Sequence, residues 1–208
     1  MKLNIYLEPK LKDQDIAQEA TKSAEYFAKL CPAIGGIAIR PLCDSYKNLL
    51  INNLVNSDVT QQVELLQMFN KNENNLNGIH LIGIPEKLST HGFSAINLGN
   101  FAIVGFAGYM PTKIYQPIIH ELGHAMGLVQ QYMPNYFADS NELAGGDPSN
   151  HCFSPFCIMS VRNIDPEHQA SRYADYKTNP ESVFCKDCKD YLQTATPEEL
   201  PWYNQVKS

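Results

Sequence analysis

The stretch that decides the fold is Gln116-Pro117-Ile118-Ile119-His120-Glu121-Leu122-Gly123-His124-Ala125-Met126-Gly127. It predicts a helix over 118–128, because Ile118, Leu122, Ala125 and Met126 recur at helical spacing and supply a core-facing stripe. Pro117 suits a helix that begins at about Gln116, since the earliest positions have no intrahelical N–H partner. His120 and His124 share the opposite face, with β-carbons about 6 Å apart. Imidazoles so placed can converge on one ion at the ~2.0–2.1 Å of a zinc–nitrogen bond. Glu121 follows the first histidine, where its carboxylate can reach a metal-bound water without being a ligand. Two histidines on a helix are also commonly plain surface residues, so this segment alone leaves both readings open. Gly127 lies three positions after His124, where a glycine turns the chain sharply and lets a third ligand return from below.

Toward the C-terminus an irregular stretch rich in Gly, Pro and Asn is expected over 130–150, and a last helix over 181–192. The six cysteines are unevenly spread: Cys31 and Cys43 stand alone, while Cys152, Cys157, Cys185 and Cys188 crowd the last third. In a reducing compartment such a cluster is more often a metal site than a set of disulfides. The rival reading of Cys185-Lys186-Asp187-Cys188 is a redox dithiol, which the missing strand–turn context and the second cysteine pair disfavour. For a third metal ligand the candidates are His151, Gln130, Asp139 and Asp147; the adjacency of His151 to Cys152 favours His151.

Toward the N-terminus strands are expected at 2–7, 34–39 and 78–84, helices at 13–30 and 59–69, and a hairpin from 93–98 and 101–106 around Gly99-Asn100. Strands alternating with helices argue for a layered α/β or α+β core. The expected division is a sheet-bearing N-terminal lobe, 1–127, and a smaller C-terminal lobe, 128–208, in one domain overall. A length of 208 residues and 44% hydrophobic content exclude disordered and fibrous classes. Twenty-two acidic against sixteen basic side chains give a net charge of −6, which argues against nucleic acid or an anionic membrane as partner. No stretch approaches the roughly 18 apolar residues of a membrane span. Residues 1–9 lack the features of a secretory leader, so the expected address is cytoplasmic.

The motif His-Glu-x-x-His-x-x-Gly resembles that of the metzincin zinc peptidases, although Gln130 stands where their third histidine falls. A narrower resemblance follows downstream. In archaemetzincins the third histidine is followed directly by cysteine, then four residues, a second cysteine, one residue and a methionine, with a CxxC pair further on. This chain reads His151-Cys152-Phe153-Ser154-Pro155-Phe156-Cys157-Ile158-Met159 and later Cys185-Lys186-Asp187-Cys188. Every element is present in order, with stretched spacings from Gly127 to His151 and from Met159 to Cys185. Over residues 116–192 the chain therefore resembles an archaemetzincin-like zinc metallopeptidase with an insertion before the third histidine.

The resemblance implies an α+β, zincin-like fold: a twisted mixed β-sheet with helices and a smaller zinc-stapled C-terminal lobe. It implies two zinc ions, a catalytic one on His120, His124 and His151 and a structural one on Cys152, Cys157, Cys185 and Cys188. Met159 would be the Met-turn residue, an apolar floor under the histidines, and Glu121 the general base that activates a zinc-bound water. The implied partner is a peptide or protein substrate. The chemistry agrees: three neutral ligands leave the ion its full charge and bring bound water to a pKa of about 7, whereas four thiolates overcompensate it and close the shell. Anchoring Cys152 would also restrict where His151 points. A substrate strand is expected along 93–106 by β-augmentation. The alternatives are a non-catalytic zinc-binding module, which an intact Glu121 disfavours, and a metal hydrolase acting on something other than peptides. His80 reads as a structural histidine, His91 and His168 as surface residues, and Cys31 and Cys43 as plain thiols. Tyr173 and Tyr176 are candidate oxyanion stabilisers.

Overall fold

The computed structural model describes residues 1–8, 11, 14–42, 78–86, 95–130, 132–139, 149–154, 156–160 and 174–203. The expected helix over 59–69, together with Cys43, His91, Asp147, His168 and Tyr173, lies outside the described residues. The chain opens with β1 (Lys2–Leu7), α1 (Gln14–Leu30) and β2 (Gly36–Pro41), then β3 (Gly78–Ile84), β4 (Ala95–Leu98) and β5 (Phe101–Gly105). These five strands form one mixed sheet in the order β2-β1-β3-β5-β4. β2, β1, β3 and β5 run parallel, and β4 closes one side antiparallel to β5.

Strand register explains the core. Leu3 pairs with Ile79, Ile5 with Leu81, and Leu81 with Ala102, so these side chains share a face. That face packs on Ala20, Ala24 and Phe27 of α1 and on Ile118 and Leu122 of the histidine helix in one buried cluster. The other face carries Asn4, Tyr6, His80, Ile82, Phe101 and Ile103, also buried. Burial on both faces is why β3, Gly-Ile-His-Leu-Ile-Gly-Ile, shows no polar alternation. His80 stacks between Tyr6 and Phe101, with centroid distances of 5.9 and 4.7 Å, as a structural histidine would. The β4–β5 hairpin turns at Gly99, φ +61°, and Asn100 ties it to β3 by donating a hydrogen bond from its Nδ2 to the Gly78 carbonyl at 2.8 Å. Among the described residues, no helix is long and apolar enough to cross a membrane.

The histidine helix, α2 (Tyr115–Ala125), begins and ends about three residues before the span expected from periodicity. A 3₁₀ turn at Pro111–Lys113 leads into it. Its end is set by Gly127 at φ +77°: the Leu128 N–H reaches the Gly123 carbonyl at 2.9 Å and the Gly127 N–H that of His124 at 2.8 Å. This is a Schellman stop with glycine in the left-handed position. Trp202 adds an indole N–H bond to the Ala125 carbonyl at 2.7 Å.

Two expectations need correction downstream. The stretch 130–150 is not wholly irregular: β6 (Tyr136–Asp139) and β7 (Ser149–Cys152) pair antiparallel, with Phe137 opposite His151. The single helix expected over 181–192 is instead a 3₁₀ turn, Pro180–Val183, followed by α3 (Lys186–Thr194). Extended Cys185, at ψ 167°, separates them and precedes the first turn of α3.

Candidate metal centre

Two elements far apart in sequence deliver three imidazoles to one place. From α2, His120 and His124 bring their Nε2 atoms to 3.1 Å. From β7, buried His151 places its ring 5.3 Å from that of His120 and 5.7 Å from that of His124, centroid to centroid. The ligand atoms of the three lie within 4.8 Å of one another. Two nitrogens bound tetrahedrally at ~2.0–2.1 Å would stand roughly 3.3 Å apart, so the observed spacing fits a zinc ion. Gln130 opens the turn that follows the helix, its carbonyl accepting the Met133 N–H at 2.9 Å. The side chain of Asp139 lies outside the described residues.

The protein also prepares the tautomer. His120 Nδ1 lies 2.8 Å from the Ile158 carbonyl, which requires the ring proton there and leaves Nε2 with its lone pair. The Leu128 backbone also acts on His124, favouring the protonated ring against the effect of burial. Burial lowers the His120 pKa to about 4, against the opposing pull of the Ile158 carbonyl and with a further push from His151. Burial, then His120 and His151, hold His124 well below the ordinary histidine value. Both imidazoles are thus neutral near pH 7, the form that binds metal. Glu121 is nearly buried on the same helix, and desolvation pushes its carboxyl up to about 8. A carboxyl so desolvated is held in its neutral form near pH 7 when no cation lies beside it.

Beneath the helix, Met159 is fully buried, and a β-carbon built on Gly123 would lie only 2.5 Å from its sulfur. Helical periodicity alone gives no reason for the glycine between the two histidines. Its cue was energetic: glycine inside a helix costs about 1 kcal/mol relative to alanine and calls for a packing reason. The Ile158 contribution had no cue, because any residue carries a carbonyl. Tyr176 is buried, donating its hydroxyl to Ser23 at 3.0 Å and stacking on Tyr115 at 4.3 Å between ring centroids.

The four cysteines form a second group, again with ligand atoms within 4.8 Å of one another. Cys152 comes from β7, Cys157 from the following loop, and Cys185 and Cys188 from the start of α3. The Cys152 and Cys185 sulfurs are 3.6 Å apart, far beyond a disulfide bond and close to the roughly 3.75 Å expected across a tetrahedral zinc thiolate. Hydrogen bonding among the sulfurs pulls Cys152 down to about 7 and Cys185 lower still. The same contacts, with burial, drive Cys157 and Cys188 up. Four thiolates therefore need a cation to coexist here.

The two groups share one short segment. His151 adjoins Cys152; Cys157 adjoins Ile158, whose carbonyl holds His120; and the Cys152 N–H donates to the Met159 carbonyl at 2.9 Å. Fixing the sulfurs fixes the third imidazole, the carbonyl behind the first and the methionine below.

Known proteins agree with this architecture at the level of structure alone. No protein-family model matches the sequence, and no curated protein matches it. Among solved structures, the chain is similar to the crystal structure of a zinc-dependent peptidase from Methanocorpusculum labreanum (strain Z), with TM-score 0.52 and 12% identity over 91% of this chain and 99% of that one. The sheet order, the buried histidine helix and the C-terminal cysteine cluster make this a zincin-like fold.

Proposed function

We propose that this protein is a zinc-dependent metallopeptidase of the archaemetzincin type, with an insertion ahead of its third histidine. His120, His124 and His151 would hold the catalytic ion, and Cys152, Cys157, Cys185 and Cys188 a structural one. Zinc held by three neutral imidazoles supplies Lewis acidity, a full double-positive charge with which to polarise a carbonyl and acidify water. Glu121 would take the proton from the attacking water and then deliver it to the leaving amine, a role for which its place next to His120 on the helix suits it. Met159 supports the histidine helix through its contact at Gly123. An extended peptide would add to the outer edge of β4, the terminal strand of the sheet order among the described residues and part of the 93–106 region expected to receive it.

The observation that carries the reading is the meeting of three histidine nitrogens, two of them from the helix that also carries buried Glu121. The test is cleavage of a diverse peptide library by wild type and by Glu121→Ala. Wild type is expected to cleave and the variant to keep its metal without cleaving. A wild type that cuts no peptide, while releasing product from small amides or esters, would replace this reading with that of a non-peptide hydrolase. Inactivity toward all of them would favour a zinc-binding module.

A further inference from the structure

Asn135 sits in the turn before β6, buried, between the two segments that supply the cysteines. Its Nδ2 lies 3.0 Å from the Cys188 sulfur, 3.2 Å from that of Cys152 and 3.7 Å from that of Cys185. Its backbone carbonyl accepts the Phe153 N–H at 2.9 Å, so the main chain at 135 is tied to the residue just after Cys152. Its Oδ1 is buried with no hydrogen-bond partner among the described residues, an arrangement that carries an uncompensated desolvation cost. The sulfurs, not the oxygen, set the orientation of this amide.

The chemistry explains why such a cost is tolerated. Four thiolates around a divalent ion leave a buried net charge of about −2, which needs N–H donors around it. Cys157 receives one from the Cys185 backbone at 3.4 Å. Cys188 and Cys152 lie within reach of the two N–H bonds of the Asn135 amide, which spans both halves of the cluster.

We propose that Asn135 is a positioning residue for the structural zinc: its amide N–H groups hydrogen-bond Cys188 and Cys152, hold β7 and α3 in register around the ion, and lower the reactivity of the sulfurs. Asn135 is not itself a ligand. This rests on the reading of the four cysteines as a zinc site. Losing the donors raises the energy of the sulfur lone pairs and speeds metal release, and changes at such supporting residues cost about 10–100-fold in metal affinity.

The experiment replaces zinc by cobalt(II) in the full chain and compares wild type with Asn135→Leu, which keeps the bulk and removes the donors. The thiolate-to-cobalt charge-transfer band should move to lower energy, and zinc transfer from the native protein to a chromophoric chelator should quicken about tenfold or more. The band position reports the sulfur electrons directly, which a merely space-filling role would not move. Should the leucine variant fail to fold, Asn135→Ser, too short to reach the sulfurs, reads the same two quantities. A band of unchanged energy with release rates within about twofold would overturn the role of Asn135 while leaving the thiolate cage intact. A wild type with no thiolate-to-cobalt band would overturn the cage and this proposal with it.

Discussion

Replacing Gly123 by Ala asks whether the methionine below the histidine helix supports it by direct contact. The added methyl would stand 2.5 Å from the Met159 sulfur and 3.1 Å from both Met159 Cε and Leu128 Cδ1. Ordinary contacts lie at about 3.5–4.0 Å, so the fully buried Met159 must retreat by roughly 1 Å. Overpacking of this kind costs about 1–3 kcal/mol, against a helix-propensity gain of about 1 kcal/mol. The net expectation is a loss of roughly 1 kcal/mol. In a Met159→Ala background, itself about 2–5 kcal/mol less stable, the clash with the sulfur is gone, Leu128 can shift into the freed space, and the methyl partly fills the cavity. There Gly123→Ala should stabilise by about 1 kcal/mol. The double-mutant cycle thus predicts a change of sign, with a coupling of about 2 kcal/mol. Urea unfolding at fixed free zinc measures all four proteins, and matching slopes confirm comparable unfolding. The same sign in both backgrounds, or a coupling below about 0.5 kcal/mol, would refute direct support of the helix by Met159.

Glu121→Gln should retain zinc and lose activity by about 10²–10⁴-fold, read as kcat/KM on a cleaved peptide. The same variant carries a pH signature in protein lacking the histidine-bound ion. Burial lifts the Glu121 pKa to about 8, above the unfolded value of 4.5, so its stabilising contribution is complete below pH 4.5 and is lost as pH rises through 8. The glutamine variant should gain on wild type across that window, by roughly 3 kcal/mol at pH 7, in denaturation curves collected between pH 4 and 8. A constant difference would contradict the desolvated carboxylate. For the third ligand, His151→Ala should weaken zinc at the histidine site by orders of magnitude in competition titrations while Gln130→Ala leaves it unchanged; the reverse pattern would return the ligand to position 130.

Local signals carried most of what the sequence made legible. The i, i+4 histidines, the glycine at 127 and the Gly99-Asn100 turn each act within a few residues, and each stands where expected. β6 and β7 were missed because Tyr-Phe-Ala-Asp and Ser-Asn-His-Cys have no apolar alternation; their pairing is a tertiary fact that carries His151 back to the helix. α3 begins later than expected because Pro180–Val183 forms a separate 3₁₀ turn and extended Cys185 interrupts the path. Strand order was beyond local reading, since β3 enters between β1 and β5 through parallel pairings that no turn encodes. The outer support of both metal groups was equally hidden: the Ile158 carbonyl has no side-chain signature, and Asn135 is one of many asparagines until the fold brings it to the sulfurs.

The most direct test of the account is metal content per chain in protein purified without added metal. Two zinc ions in wild type, falling to one in His120→Ala, are expected, since the substitution removes an imidazole from one group and leaves the four sulfurs untouched. One ion or none in wild type, or no change on removing His120, would contradict it.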